Sequence, residues 1–215
     1  MTSYGHFCLA ARTLETVGDR WSLLIVRDLL PAPRRFSDLR RLLTHVTAKW
    51  LTIRLRQLES EGIVVRNPQP GRREVWYELT DKGRDLAPVL DALIAWGLKH
   101  ERRPLDDAEA AHPEHLMAGI AVALNDRGMK PAGRRVWTFD FDSDGSFSLA
   151  FDDGHWSLTD GASQPDVVVV TTPRGLAEFI ATPREERRLP SAEIRLSGEA
   201  DRVTEVVEAF GARPA

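Results

Sequence analysis

The 215-residue chain has one cysteine, two tyrosines and no apolar run approaching the ~18 residues that a membrane-crossing helix needs. A lone cysteine, Cys8, cannot form an internal disulfide, which suits a reducing compartment, and a cytoplasmic location is expected. The opening Met1-Thr2-Ser3-Tyr4-Gly5-His6 lacks the basic stretch and apolar core of a secretion signal. His112 and His115 lie three apart, but no Cys or further His completes a ligand set, and Pro113 between them favours a solvated segment. No metal is therefore expected. Neither a phosphate-binding glycine loop nor a nucleophile elbow occurs, so no cofactor, no catalytic residue and no enzyme activity are expected.

What is present is uneven. The net charge of -3 is the sum of two opposed halves. Residues 1–103 hold 18 Lys+Arg against 12 Asp+Glu, and the remainder holds 11 against 20. The first half can approach a polyanion and the second cannot. The chain is long enough for two small domains. Its polar, acidic stretch from Pro104 to Pro113 reads as a linker, giving an N-terminal domain over 1–103, a linker over 104–113 and a C-terminal domain over 114–215.

The first domain reads helix, helix, helix, hairpin, helix. Leu9 to Val17 is helical and ends at Gly18; Asp19 then caps a helix carrying Trp21, Leu24, Ile25 and Leu29, stopped by Pro31 and Pro33. Ser37 is a fitting N-cap for a short helix with Leu39, Leu42 and Leu43. Thr47 caps the next, in which Leu51, Leu55 and Leu58 form an apolar stripe that ends at Gly62. The period then drops to that of strands: Ile63-Val64-Val65, a break at Asn67 to Gly71, and Val75, Tyr77 and Leu79 alternating with polar neighbours. Thr80 caps a last helix expected to run to about Lys99.

Two short helices followed by a hairpin is the order of a winged helix-turn-helix, whose second helix enters the DNA major groove. With the leucine stripe inward, the outward set contains Ala48, Lys49, Thr52, Ile53, Arg56 and Gln57. Thr47 and the free N–H groups of the helix start suit a phosphate. Lys49, Thr52, Ile53 and Arg56 suit base edges, since cations read guanine and small apolar groups meet thymine methyls. Ser37, at the start of the helix before, joins this set. Trp50 has two open roles, stacking on sugar or packing back on the preceding helix. Arg54, toward the flank, is expected on a phosphate. Arg66, Arg72 and Arg73 surround a Pro/Gly tip that suits phosphate or the minor groove, or is simply a solvated hairpin surface.

The pieces Val17-Gly18-Asp19-Arg20-Trp21, Leu24 to Leu29, Arg35-Phe36-Ser37-Asp38-Leu39, Lys49-Trp50-Leu51-Thr52, Leu55 to Glu59 and Tyr77 to Gly83, with Cys8, resemble the HxlR-type family of bacterial winged-helix regulators. The resemblance covers roughly the first hundred residues. It implies a homodimer on an inverted repeat of double-stranded DNA, held by the N-terminal and final helices of the domain. Cys8 coincides with a cysteine that serves some members as a redox switch. A helix start with Arg12 one turn on permits that role. Its flanks, Phe7 and Leu9, instead suit a small buried hydrophobe, and packing is the stronger expectation.

The second domain reads as α+β with a mostly antiparallel sheet: a helix over His115 to Asn125, alternating strands around Asp144-Gly145 and Asp153-Gly154, the run Val167 to Val170, and later helices at Leu176 to Ala181 and Val203 to Phe210. With Gly154 to Leu158 and Ile194 to Glu199 these pieces resemble the sterol-carrier-protein-like fold, which in several members holds an apolar molecule. The resemblance implies a ligand pocket among Trp137, Phe139, Phe147, Leu149, Phe151 and Trp156, while aromatics at strand spacing are more often the content of a filled core. Two functions follow: a dimeric DNA-binding regulator with an apolar small-molecule effector, or an apolar-ligand carrier or enzyme with a vestigial winged domain.

Overall fold

The computed structural model describes residues 4–5, 7–68, 74–101, 103–159 and 164–214. Two compact units form, Met1–Ala92 and Leu93–Ala215. No helix among the described residues is long and apolar enough to cross a membrane.

In the first unit, α1 (Leu9–Val17) ends at Gly18, where a Cβ would stand 2.4 Å from the Leu14 carbonyl oxygen. Asp19 turns the chain into α2 (Ser22–Leu29): its carboxylate accepts the Trp21 N–H at 2.8 Å and the Ser22 hydroxyl. After the prolines comes β1 (Arg34–Arg35), a strand too short to show a period, and then α3 (Phe36–Leu42). Ser37 is not the cap of α3. The helix begins two residues earlier than that cap would set, with Arg35 in the cap position and its N–H donated to the Asp38 carboxylate at 3.1 Å. Thr47 caps α4 (Ala48–Ser60) by accepting the Trp50 N–H at 3.2 Å. Gly62, with φ +68°, lets the chain leave that helix toward β2 (Val64–Pro68) and β3 (Val75–Leu79). The three strands form an antiparallel sheet in the order β1-β3-β2.

The helix expected over Thr80 to Lys99 is two, α5 (Asp81–Arg84) and α6 (Ala87–His100). Pro88 has no N–H to offer the Arg84 carbonyl, so the helix restarts with proline in its first turn, where that donor is not needed. Ile25, Val26, Leu39, Leu51, Leu55, Leu58 and Leu79 form the core of this unit, and each is at most 1% exposed. Burial of such a side chain stabilises by roughly 1.5–3 kcal/mol.

In the second unit, residues 104–112 carry no helix or strand. Arg103 is paired there with Glu109, whose carboxyl falls to about 2, held by the Arg103 N–H donors and then by the Asp106 backbone N–H. Pro113 opens α7 (Pro113–Asp126) rather than closing the linker, again as a proline that fits the first turn. The strands β4 (Arg135–Asp140), β5 (Ser146–Asp152) and β6 (His155–Thr159) form a meander. Its second turn is Asp153-Gly154, both with positive φ, the mirror-image turn that suits the twist of a hairpin. Then β7 (Val167–Thr171) crosses back to pair in parallel with β4. It is followed by α8 (Pro173–Ala181), β8 (Arg188–Leu189), β9 (Ile194–Gly198), α9 (Ala200–Ala209) and β10 (Arg213–Pro214). The five-stranded sheet has the order β6-β5-β4-β7-β9, antiparallel except at β4/β7. The short β8 and β10 pair in parallel with each other. This unit is α+β, with α7, α8 and α9 contributing to one core against the sheet.

Candidate nucleic-acid interface

The leucine stripe of α4 fixes which side chains face out. With Leu51, Leu55 and Leu58 in the core, the opposite face carries Lys49, Ile53 and Arg56, spaced i, i+4 and i+7 so that they form one row along the helix. All three are exposed, as are Thr47 and Ala48 at the helix start; Thr52 is half-buried. Trp50 is 53% exposed, so it does not pack back into the core, and its side chain is available beside Ile53. Ser37 is exposed at the start of α3.

The hairpin adds to this face. Thr52, Leu55, Arg56 and Glu59 of α4, with Arg66 of β2 and Tyr77 of β3, line a hollow of about 240 Å³. Arg56 and Arg66 thus border one concavity, which places a helix cation and a hairpin cation together. Arg72 and Arg73 lie outside the described residues.

Arg54 departs from its expected role. Its side chain is 17% exposed, and its Nε stands 3.1 Å from the Asp19 carboxylate while Nη1 donates to Gln57 Oε1 at 2.5 Å. The guanidinium is turned along the flank of α4 toward the turn between α1 and α2, away from the Lys49–Arg56 row. Sequence spacing could not reveal this, because the partner lies 35 positions upstream. Asp19 is the residue the sequence reading undervalued: one carboxylate holds the entry to α2 and braces α4.

Cys8 is exposed, with Phe7 and Leu9 exposed on either side, so the expected packing role is not what the structure shows. The reason is the seat of α1, which sends only Ala11 and Val17 into the buried layer. Arg12 lies over the Phe7 ring, 4.8 Å from its centroid.

In the second unit the six expected pocket residues share one sheet face. Phe139 opposes Phe147, Trp137 opposes Leu149, and Phe151 opposes Trp156. They fill the core. Trp137 and Trp156 pack at a tilt of 41° with centroids 4.3 Å apart, and Phe147 packs at the edge. A cavity of about 180 Å³ lies elsewhere, lined by Leu98, Leu116, Ile120, Leu124, Ile180 and Phe210, with small Gly119, Ala123 and Ala209, and with His115, Arg127 and Arg187. None of the six belongs to that lining. Arg187 is buried and donates to the carbonyls of Thr182, Phe210 and Ile180 at 3.0, 2.9 and 2.6 Å. Among the described residues no group of three or more His, Cys, Asp or Glu is placed to hold a metal ion.

The family model of the HxlR-like helix-turn-helix matches residues 16–104. The uncharacterized HTH-type transcriptional regulator YtcD of Bacillus subtilis (strain 168) is 38% identical over 108 residues, 49% of this chain and 84% of that protein. A second uncharacterized HTH-type transcriptional regulator, sll1512 of Synechocystis sp., is 39% identical over 94 residues, covering 43% of this chain and 70% of its own length. Among solved structures, the redox regulator HypR in its reduced form shares 30% identity over 44% of this chain and 94% of its own, with a TM-score of 0.42.

Proposed function

This chain belongs to the HxlR-like helix-turn-helix family of transcriptional regulators, and we propose that it works as a homodimer on an inverted-repeat DNA operator, with α4 in the major groove. The observation that carries the reading is the exposed outward row of Lys49, Ile53 and Arg56, two cations about an isoleucine on a helix whose other face is locked into a core, with Arg66 of β2 beside it. Thr47 and the helix start take a phosphate; Ser37, Ala48, Trp50, Thr52 and the hairpin cations complete the contact set.

Dimerisation is supported by apolar side chains left in water. On α6, Val89, Leu93 and Trp96 lie at i, i+4 and i+7 and are exposed, Trp96 to 56%; Phe7, Leu9 and Leu14 are exposed on or beside α1. A second copy would cover them and space two α4 helices about 34 Å apart, one turn of duplex. The sheet order of the second unit and its cavity support a sterol-carrier-like domain that binds an apolar effector, seated among the α7 residues rather than among the sheet aromatics. Such an effector shifts DNA binding only if it prefers one dimer geometry.

The test is a gel-shift titration across salt on duplexes from the gene's own upstream region. Affinity should fall steeply with salt as counterions leave the phosphates. Lys49→Ala with Arg56→Ala should weaken specific binding by about 2–6 kcal/mol if each cation reads a base. Affinity unchanged by the double substitution would refute the assignment of α4.

A further inference from the structure

The outward face of α4 is not uniformly polar. Ile53 lies at the middle of the Lys49–Arg56 row and is 41% exposed, and Trp50, three residues before it, is exposed beside it. On the same helix every leucine is buried, so the two outward apolar side chains are not spill-over from the core stripe. We propose that α4 reads thymine methyl groups: Ile53, with Trp50 beside it, forms an apolar contact for the C5-methyl of thymine in each half-site. The inference rests on the DNA-binding reading and, from the exposure of Ile53 and Trp50, commits this apolar pair to one base group.

In the major groove the thymine methyl is the apolar element of the base code; the other signals are hydrogen-bond donors and acceptors. An isoleucine offers no hydrogen bond, so at the centre of a groove-facing row it gains only from covering apolar surface. Lys49 and Arg56, one turn to either side, are exposed cations of the kind that pair with guanine O6 and N7. The half-site should therefore place thymine between purines read by these two cations. Arg54 does not compete for this position, being engaged with Asp19 and Gln57.

The experiment uses the full chain and a random-sequence duplex pool. A duplex enriched by the protein is resynthesised with uracil at each thymine in turn, which removes the methyl and nothing else. At the thymines facing α4, affinity should drop about fourfold per methyl, the transfer value of one buried carbon group. Ile53→Ala should bind the thymine and uracil duplexes equally at the affected position, and Trp50→Ala should reduce the difference. Both residues are exposed, so folding is not at stake; circular dichroism verifies it. If no uracil substitution changes affinity by more than about twofold, or if the loss persists in full in Ile53→Ala, the inference is overturned while DNA binding stands. If no duplex is enriched at all, the DNA-binding reading falls and this inference with it.

Discussion

Asp19→Ala asks whether the recognition helix is braced from behind. The substitution removes the acceptor for the Trp21 N–H and the Ser22 hydroxyl at the entry to α2, a loss comparable with that of a helix cap, about 1 kcal/mol. It also removes the partner of Arg54, 3.1 Å away, in a pair whose side chains are 17% and 20% exposed. Surface pairs contribute under about 1 kcal/mol and breaking a buried pair costs about 3–5; this half-covered pair belongs between them, at about 1–2 kcal/mol. The total is about 2–3 kcal/mol, or a fall of roughly 10–20 °C in the melting temperature of a unit this size. Urea unfolding of wild type, Asp19→Ala, Arg54→Met and the double variant closes a cycle whose coupling should be about 1–2 kcal/mol. Effects that add to within about 0.5 kcal/mol would refute the brace. The salt slope of DNA binding separates the two roles of Arg54. A phosphate contact would lower the slope by about 0.9 in Arg54→Met, whereas the brace leaves it unchanged.

Gly83→Ala should destabilise the first unit by about 1–3 kcal/mol in urea, because the added Cβ would stand 2.3 Å from the Ile63 carbonyl oxygen. Gly97→Ala, which meets open space in α6, should instead be neutral or stabilise by up to about 1 kcal/mol. Trp96→Asp should convert the proposed dimer to monomer in analytical ultracentrifugation; a dimer of unchanged affinity would remove α6 from the interface. Ala123→Phe, which fills the cavity beside Ile120 and Leu124, should abolish the thermal shift produced by any apolar compound that stabilises the wild type. Glu109 should titrate near pH 2 by carboxyl-carbon NMR, against its ordinary 4.5, and should return toward that value in Arg103→Ala. Since the folded-state value is depressed, the pair's contribution is complete above about pH 4.5 and disappears as pH falls through 2.

Periodicity made most of the first unit legible. Leucines at helical spacing, capping Thr47 and the glycines at 18 and 62 each correspond to a physical boundary that the structure keeps. What it hid was short or distant. A two-residue strand such as β1 has no period to detect, and the break before α6 lay in one proline within a helical pattern. The outward row of α4 followed from its buried stripe, since a helix with one face fixed has its other face determined. Arg54 did not follow, because a side chain on the flank is claimed by whatever the tertiary fold brings there, here Asp19. The same limit applied in the second unit. Alternation grouped Trp137, Phe139, Leu149 and Phe151 on one face, but whether that face closes on itself or around a void depends on the helices packed against it.

The tryptophans fall into two kinds of environment. Trp137 and Trp156 are buried against each other on one sheet face, where their area stabilises the fold and leaves nothing to offer a partner. Trp50 and Trp96 stand out in water on helices whose opposite sides contribute to buried packing. A large aromatic costs free energy in that position unless something covers it, at roughly 25 cal/mol per Å² of apolar surface. In the proposed assembly each has a cover of its own: duplex DNA over Trp50 and a second copy over Trp96. Losing the second would separate the two α4 helices. Each would then bind its half-site alone, without the gain in effective concentration that linkage supplies. Trp96→Asp should therefore weaken operator binding far more than binding to a single half-site, although the substituted residue touches no DNA. A loss of equal size on both duplexes would mean that Trp96 acts through the fold of α6 and not through a partner.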